Sequence, residues 1–358
     1  MHRKINGYID MIDNSIYYNS LKRVTEVVSE SNKSFLITGS SGLIGSCLVD
    51  LLMLANQEGR NNHIFALGRN KEKIKSRFPE YIGNDYFHIL EQDICEPLPK
   101  EYNFDYIVHG ASNADPVSYA KYPVETILTN LLGTKNVLDY GRLNKECMIT
   151  LLSTFEVYGK CDKDIYCETD AGVINFNLFR SCYPESKRTS EILSRSYVDE
   201  YKVKVNVARL CSIYGPTMSL QDSKAHAQFL RNALKGEDIV LKSTGAQRRT
   251  YCYVIDAITA ILTILFKGSS GYSYNVSNIN SIISIADLAT LIASLSGKKV
   301  VYDLPSKIES KGFSKPQDCI LDNSELCKLG WQGLYGIKEG IIETLDILKQ
   351  DPKIGLIL

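Results

Sequence analysis

The sequence predicts an α/β protein built on a doubly wound parallel sheet, with a smaller C-terminal α/β domain covering it. Three observations carry that reading. From residue 34 to about residue 210, short apolar runs alternate with stretches of helical spacing. Such alternation builds right-handed βαβ units and a sheet covered on both faces. Directly behind the first apolar run, Phe35-Leu36-Ile37, stand Gly39, Gly42 and Gly45, three residues apart and opening a helical pattern. Beyond residue 210 the rhythm breaks at Tyr214-Gly215-Pro216, and the later elements are shorter and less regular.

Taken in order, residues 1–33 read as a helical extension packed on the body. Ile5, Tyr8, Ile9, Ile12 and Ile16 keep a helical spacing, and so do Leu21, Val24 and Val28. Oligomerisation is one use for such a segment, while docking to a membrane has no basic cluster behind it. Residues 34–210 form the first domain, with strands expected at Phe35–Thr38, Ile64–Leu67, Phe87–Leu90, Tyr106–His109, Met148–Leu152 and Val203–Leu210. Helices are expected near 43–55, 71–78, 123–143 and 183–201, the first because Leu43, Ile44, Cys47, Leu48, Leu51 and Leu52 recur at three- and four-residue steps. Further on, 224–235 reads as a helix ended by Gly236, Tyr251–Val254 and Tyr274–Val276 as strands, and Ile285–Ser296 and Gly336–Leu348 as helices. Strands near 246–280 are expected to return to the first domain, leaving 211–245 and 281–358 as the substrate-binding domain.

Composition excludes several classes. Lysine plus arginine and aspartate plus glutamate are 41 each, so there is no electrostatic footprint for nucleic acid, and an anionic ligand must be met by local groups. No apolar run approaches the roughly 20 residues of a membrane span, and the polar N-terminus has no secretory core, which predicts a cytoplasmic protein. The ten cysteines include no CxxC pair and the five histidines are dispersed, so the thiols are read as reduced and no metal site is expected. His109, at a strand end, reads as a satisfied core histidine.

The glycine turn has a physical use. Gly39 makes the tight turn, Gly42 lets backbone approach a pyrophosphate, and Gly45 lets helix pack close on strand. Leu43 and Ile44 open the helix whose unpaired N–H groups and positive dipole end face the phosphates. A Gly-rich βα turn without a ligand is the alternative, and the strand before and helix after it favour a dinucleotide. The second strand ends Ala66-Leu67-Gly68-Arg69-Asn70, with no acid for a ribose 2′-hydroxyl. Arg69 therefore either pairs with the 2′-phosphate of NADP or covers the adenine of NAD. A second constellation lies downstream. Tyr183 and Lys187, four apart, share one helix face. Some thirty residues upstream, Ser153-Thr154-Phe155-Glu156-Val157-Tyr158-Gly159 follows an apolar strand.

With these residues in hand, the chain resembles the extended short-chain dehydrogenase/reductase family, and within it the NAD(P)-dependent nucleotide-sugar epimerases, dehydratases and decarboxylases. The resemblance runs from about residue 34 to about residue 348. It includes the glycine turn, Asp93-Ile94, His109-Gly110-Ala111-Ser112, Asn130-Leu131-Leu132-Gly133-Thr134, Thr154 to Gly159 and the Tyr183/Lys187 pair. It continues through Tyr214-Gly215-Pro216, Gly245 to Asp256 and Leu329-Gly330-Trp331. The resemblance implies a Rossmann-type sheet holding NAD or NADP tightly, with Gly39, Gly42, Leu43, Ile44 and Gly45 at the pyrophosphate and Arg69 and Asn70 at the adenosine. Asp93 and Ile94 would flank the adenine, Ala111 and Ser112 the ribose and nicotinamide, and Asn130 would support the active-site backbone. Arg249 would meet the diphosphate of a nucleotide-diphosphate sugar, a solvated cation beside Arg248 being the alternative. The helices at 123–143 and 183–201 resemble those of a homodimer interface.

The same resemblance implies a mechanism. Free tyrosine, with a pKa near 10, is a poor base at neutral pH, but Lys187 and a positive nicotinamide favour its phenolate. Tyr183 then takes the proton of a sugar hydroxyl as C4 gives up hydride, Thr154 orients that oxygen, and Lys187 also holds the nicotinamide ribose. The expected activity is oxidation at C4 to a 4-keto sugar, followed by epimerisation or elimination through C5, in the synthesis of surface-polysaccharide precursors. Glu156 is the candidate group at C5 or C6. Phe155 fits neither the acidic residue of deoxythymidine-type dehydratases nor the small hydroxyl residue of decarboxylases, although Arg180-Ser181-Cys182-Tyr183 is nearest the decarboxylases. A UDP-glucuronate decarboxylase-like enzyme, a non-catalytic NAD(P)-binding sensor and a reductase with freely exchanging NADPH are the alternatives.

Overall fold

A computed structural model gives the fold over the described residues 11–219, 221–304 and 318–350. The first half contains α1 (Ser15–Lys22), β1 (Ser34–Thr38), α2 (Leu43–Gln57), β2 (His63–Gly68), α3 (Lys71–Arg77), β3 (Phe87–Glu91) and β4 (Tyr106–His109). It continues with α4 (Pro116–Lys121), α5 (Pro123–Leu143), β5 (Met148–Thr154), β6 (Ile165–Tyr166), α6 (Cys182–Tyr201) and β7 (Lys204–Leu210). The second half holds β8 (Ser212–Tyr214), α7 (Ala225–Lys235), β9 (Ile239–Leu241), β10 (Arg248–Tyr253), α8 (Val254–Lys267) and β11 (Ser273–Val276). It ends with β12 (Ile282–Ser284), α9 (Ile285–Ser296), β13 (Val300–Tyr302), β14 (Ile320–Leu321), α10 (Ser324–Lys328) and α11 (Ile337–Gln350).

Seven strands form one sheet in the order β3-β2-β1-β4-β5-β7-β11, and every neighbouring pair is parallel. Both faces of such a sheet are buried, which is why β1 carries Phe35, Leu36 and Ile37 in succession, all shut off from solvent. The direction of winding reverses between β1 and β4, and ligands of open α/β sheets sit outside the strand ends at such a reversal. The turn after β1, residues 110–112 after β4 and Thr154 at the end of β5 all open onto that edge, since Thr38 lies beside His109 and Thr154 beside Leu210 in the ladder.

The expected strands and helices of residues 34–210 are present, with ends shifted by two residues or fewer. Two differences lie beyond them. β10 begins at Arg248 and pairs with β8 and β12, whereas β11 alone of these later strands joins the main sheet. Val254, expected to end a strand, instead opens α8, a helix buried from Val254 to Leu265. It packs between the sheet and α2, and being apolar all round it shows no amphipathic period.

Among the described residues, the N-terminal segment is helical in α1 and two short turns, and Ile5, Tyr8 and Ile9 lie outside the described residues. It is nevertheless packed on the body, because Tyr17, Leu21, Val24 and Val28 are all buried. Tyr17 donates its phenol proton to Asp50 of α2 at 2.7 Å, and Arg77 of α3 pairs with the same carboxylate at 2.5 Å. Burial pushes the Asp50 carboxyl up and the Arg77 charge opposes that rise.

Candidate active site

The glycine turn is built as backbone crowding requires. Gly39 has φ +70°, and a Cβ there would lie 2.9 Å from the backbone of Gly110. At Gly45, inside α2, a Cβ would lie 2.4 Å from the Gly39 carbonyl oxygen, so only glycine lets the helix start this close to the strand. Gly42 is the residue before the first turn of α2, and that turn has no side-chain cap. Its amides thus keep donors for an anion. Thr38 holds the opposite lip: its Oγ1 accepts from the Gly110 and Ala111 amides at 3.1 and 3.0 Å and lies 2.9 Å from His109 Nδ1. With two protons accepted, the hydroxyl donates to Nδ1, which makes His109 neutral. Burial, and then the Lys187 charge, pull its pKa down to about 3. A cradle of this shape, with backbone in place of Cβ atoms and uncapped amides, fits a dinucleotide.

The residues expected at the cofactor's other end divide. Ser112 donates to Asn130 Oδ1 at 2.7 Å and Asn130 donates to Ser186 Oγ at 2.8 Å, so Asn130 ties the loop after β4 to α6. Ala111 lies on the same loop. Ile94 is buried with its carbonyl held by Asn136, and Asp93 accepts from the Cys95 amide at 2.9 Å. Leu43 and Ile44 form the first turn of α2, half-buried, and the Leu43 carbonyl accepts from Thr217 at 2.8 Å. Arg69 and Asn70 are exposed beyond β2, and the Asn70 side chain caps α3 by accepting from the Lys73 amide at 2.8 Å.

Thr154, Tyr183 and Lys187 converge at the end of β5 and are all buried. The Thr154 hydroxyl accepts from the Glu156 amide at 3.2 Å and is also hydrogen bonded to the Tyr183 phenol. Burial pushes that phenol well above its ordinary range, the Glu156 charge adds to the rise, and the Thr154 bond opposes it. Lys187 is tied to the backbone of β5. Its ammonium donates to the Leu152 carbonyl at 2.9 Å, and burial, countered by Glu191, lowers its pKa to about 8. The protein's own groups therefore keep Tyr183 protonated, and a positive charge delivered with the cofactor is what would draw the proton away.

Further residues complete the site, and Tyr119 and Glu191 among them were not singled out in the sequence. Tyr119 of α4 stacks on Tyr183 with ring centroids 5.1 Å apart and planes at 3°, and burial pushes its phenol up to about 12. Arg180 pairs with Glu156 at 3.3 Å and hydrogen bonds the Tyr119 phenol. Arg249 of β10 lies over the Phe155 ring, its guanidinium carbon 5.4 Å from the centroid, while Arg248 is held by Asp318 at 2.7 Å. Arg249 is thus the member of the pair aimed at the Thr154–Glu156 turn. Behind Thr154, Ser153 donates to Glu191 at 2.5 Å and Arg209 closes on the same carboxylate at 2.7 Å. The one legible signal for Glu191 was its place one helical turn beyond Lys187; Arg180 was marked only as part of the segment Arg180-Ser181-Cys182-Tyr183, and nothing local marked Tyr119.

A glycine cradle at the sheet reversal, with a hydroxyl, a phenol and an ammonium gathered beside it, is the arrangement of a dinucleotide-dependent enzyme. Residues 35–279 match the NAD dependent epimerase/dehydratase family, and the chain belongs to it. It is 31% identical over 330 residues to "UDP-glucuronic acid decarboxylase 6" of Arabidopsis thaliana, covering 91% of each protein. Its fold resembles that of a dTDP-glucose 4,6-dehydratase from Bacillus anthracis solved with NAD (TM-score 0.76, 21% identity, 90% of this chain and 98% of that one). It is also similar to a UDP-glucose 4-epimerase from Thermotoga maritima solved with UDP-glucose (TM-score 0.74, 23% identity, 88% and 99%). The protein is an NAD-dependent enzyme of this family, within the extended short-chain dehydrogenase/reductases.

Proposed function

We propose that the protein oxidises C4 of a nucleotide-diphosphate sugar, using a tightly held NAD, and then acts at C5 of the resulting 4-keto sugar. The observation that carries this is the meeting of Thr154, Tyr183 and Lys187 beside the glycine cradle, with Glu156 two residues from Thr154. NAD, when bound, supplies a hydride acceptor and a positive charge. Thr154 holds the C4 oxygen, Tyr183 accepts its proton, and Lys187, neutral or charged near pH 8, holds the ribose. Arg249 takes the diphosphate, with Phe155 beneath it. Arg69 is assigned to the adenosine and Asn70 to the loop that carries it.

Loss of a C6 carboxylate is the second reading of the C5 step. The decarboxylase relatives support it, and so does the presence of two arginines, Arg180 and Arg249, around Glu156 and Phe155. A non-catalytic sensor is disfavoured by the intact trio. Residues 211–245 and 281–358 are assigned to covering the sugar, and a role in surface-polysaccharide precursor synthesis in the cytoplasm belongs to the same reading. Ten free thiols are consistent with that compartment. Incubation with UDP-, GDP-, CDP- and dTDP-sugars, followed by mass and NMR analysis of the products, tests the proposal. A new pentose, 4-epimer or 4-keto-6-deoxy sugar supports it, and no change in any sugar contradicts it.

We also propose a homodimer through α5 and α6. Val124, Ile127, Leu128 and Leu132 form an exposed apolar series on α5, and Ile192 is exposed on α6, which packs against it.

A further inference from the structure

We propose that Glu191 is a positioning residue for the C4 step: closed with Arg209, its carboxylate braces the turn that carries Thr154 and Glu156 against α6. This rests on the C4-oxidation reading above. Both members of the pair are buried. Arg209 of β7 meets the carboxylate with two nitrogens, Nε at 3.1 Å from each oxygen and Nη2 at 2.7 Å from Oε2. Two ends of one turn hang on this pair. Ahead of Thr154, the Ser153 hydroxyl donates to Glu191 Oε1 at 2.5 Å. Beyond Glu156, the Tyr158 phenol accepts from Arg209 Nη1 at 3.0 Å and donates to Asn275 at 2.6 Å. The turn Phe155–Tyr158, with Thr154 at its start, is therefore held on both sides by a single ion pair.

The helix side is ordered by the same residue. Tyr183, Lys187 and Glu191 follow at four-residue steps and form one stripe along α6. Tyr183 is hydrogen bonded to the Thr154 hydroxyl, Lys187 donates to the Leu152 carbonyl, and Glu191 accepts from Ser153. Three consecutive residues of β5 are thus tied to three successive turns of one helix. A buried ion pair adds little stability beyond what apolar residues of the same volume would give, so stability alone does not account for this one. What the carboxylate offers is an acceptor of fixed direction for Ser153, next to the hydroxyl that must orient the sugar. Misplacing reacting groups by about 1 Å costs roughly a hundredfold in rate. Removing the Ser153 hydroxyl leaves the ion pair closed and withdraws only its tie to β5, whereas removing the Glu191 charge leaves a buried guanidinium unpaired.

Holoenzyme of the wild type, Ser153→Ala, Ser153→Thr and Glu191→Gln is mixed with UDP-glucose, dTDP-glucose and UDP-glucuronate, and single-turnover reduction of the bound nicotinamide is followed across sugar concentrations. In Ser153→Ala the rate at saturating sugar is expected to fall about 10- to 100-fold. The half-saturating sugar concentration, the bound nicotinamide and the urea midpoint should stay at the wild-type values. A loss confined to the rate marks an interaction that acts in the transition state and not in sugar binding. Ser153→Thr keeps the hydroxyl and should return most of the rate. Glu191→Gln should lose rate and, unlike Ser153→Ala, lower the urea midpoint as well, because the Arg209 charge is then unpaired. Wild-type rates in Ser153→Ala or Glu191→Gln, an equal loss in Ser153→Ala and Ser153→Thr, or a loss of sugar or nicotinamide binding in place of rate each overturns the inference. Glu191 is then a structural partner of Arg209, and C4 oxidation stands. A wild type that reduces its nicotinamide with none of the three sugars overturns both.

Discussion

In the proposed reaction Tyr183 is the base, and the protein alone does not ionise it. Burial and the Glu156 charge hold its proton, and the Thr154 hydroxyl is the local group that helps release it. Tyr183→Phe should keep the fold and the cofactor and lose more than about a hundredfold in turnover, in line with general-base contributions; rates measured with saturating sugar check this. Glu156→Gln should still reduce the nicotinamide but stall at the 4-keto sugar, and the wild type should take up deuterium at C5 in heavy water. Full product formation by the Gln variant would reduce Glu156 to a partner of Arg180. His109 makes a separate prediction on stability. Its folded pKa lies near 3 and its unfolded value near 6.5, so the unfolded chain binds more protons between those limits. Stability therefore falls as pH drops from about 6.5 towards about 3. His109→Gln should lose less stability than the wild type between pH 7 and pH 4, as read from urea midpoints, and equal losses would contradict the assignment.

The elements that carry the cofactor site were legible because each has a local cause. The turn after β1 needs φ +70° at Gly39 and no Cβ at Gly45, and glycine marks both. Gly45→Ala should drive a methyl into the Gly39 carbonyl, so that cofactor retention after gel filtration falls along with thermal stability. The parallel strands announced themselves as apolar runs, and α5 and α6 as long periodic patterns. α8 did not, because a helix buried on all sides has no polar face to set a period; its length and the Gly268 that follows it were the only available signals. β6, β8, β9, β12, β13 and β14 are two or three residues long, too short for alternation to register. In the site itself, Thr154, Tyr183 and Lys187 were legible as a spacing. Tyr119 and the pairing of Arg180 with Glu156 were not, because the stack and the ion pair join segments 24 to 64 residues apart in sequence and only the folded chain brings them together.

For the whole molecule, α1 works as a clasp between the body and the C-terminal helix. Tyr17 is bonded to Asp50 of α2, and Ser20 donates to Glu343 of α11. Asn14 reaches Gln350 at 3.1 Å. The exposed apolar residues of α5 and α6 are placed for a second copy, so Leu128→Lys combined with Ile192→Lys should convert a dimer to monomers by sedimentation velocity. A wild-type monomer would remove that proposal without touching the chemistry. The proposed chemistry depends on the sugar hydroxyl meeting Tyr183 beside a retained nicotinamide, and a C4-deuterated nucleotide sugar reports on that meeting. Mixed with purified protein and no added cofactor, it should reduce the bound nicotinamide with a deuterium isotope effect, and the label should stay off the solvent. Absence of nicotinamide reduction, or release of the C4 label to water, would contradict C4 oxidation by this chain.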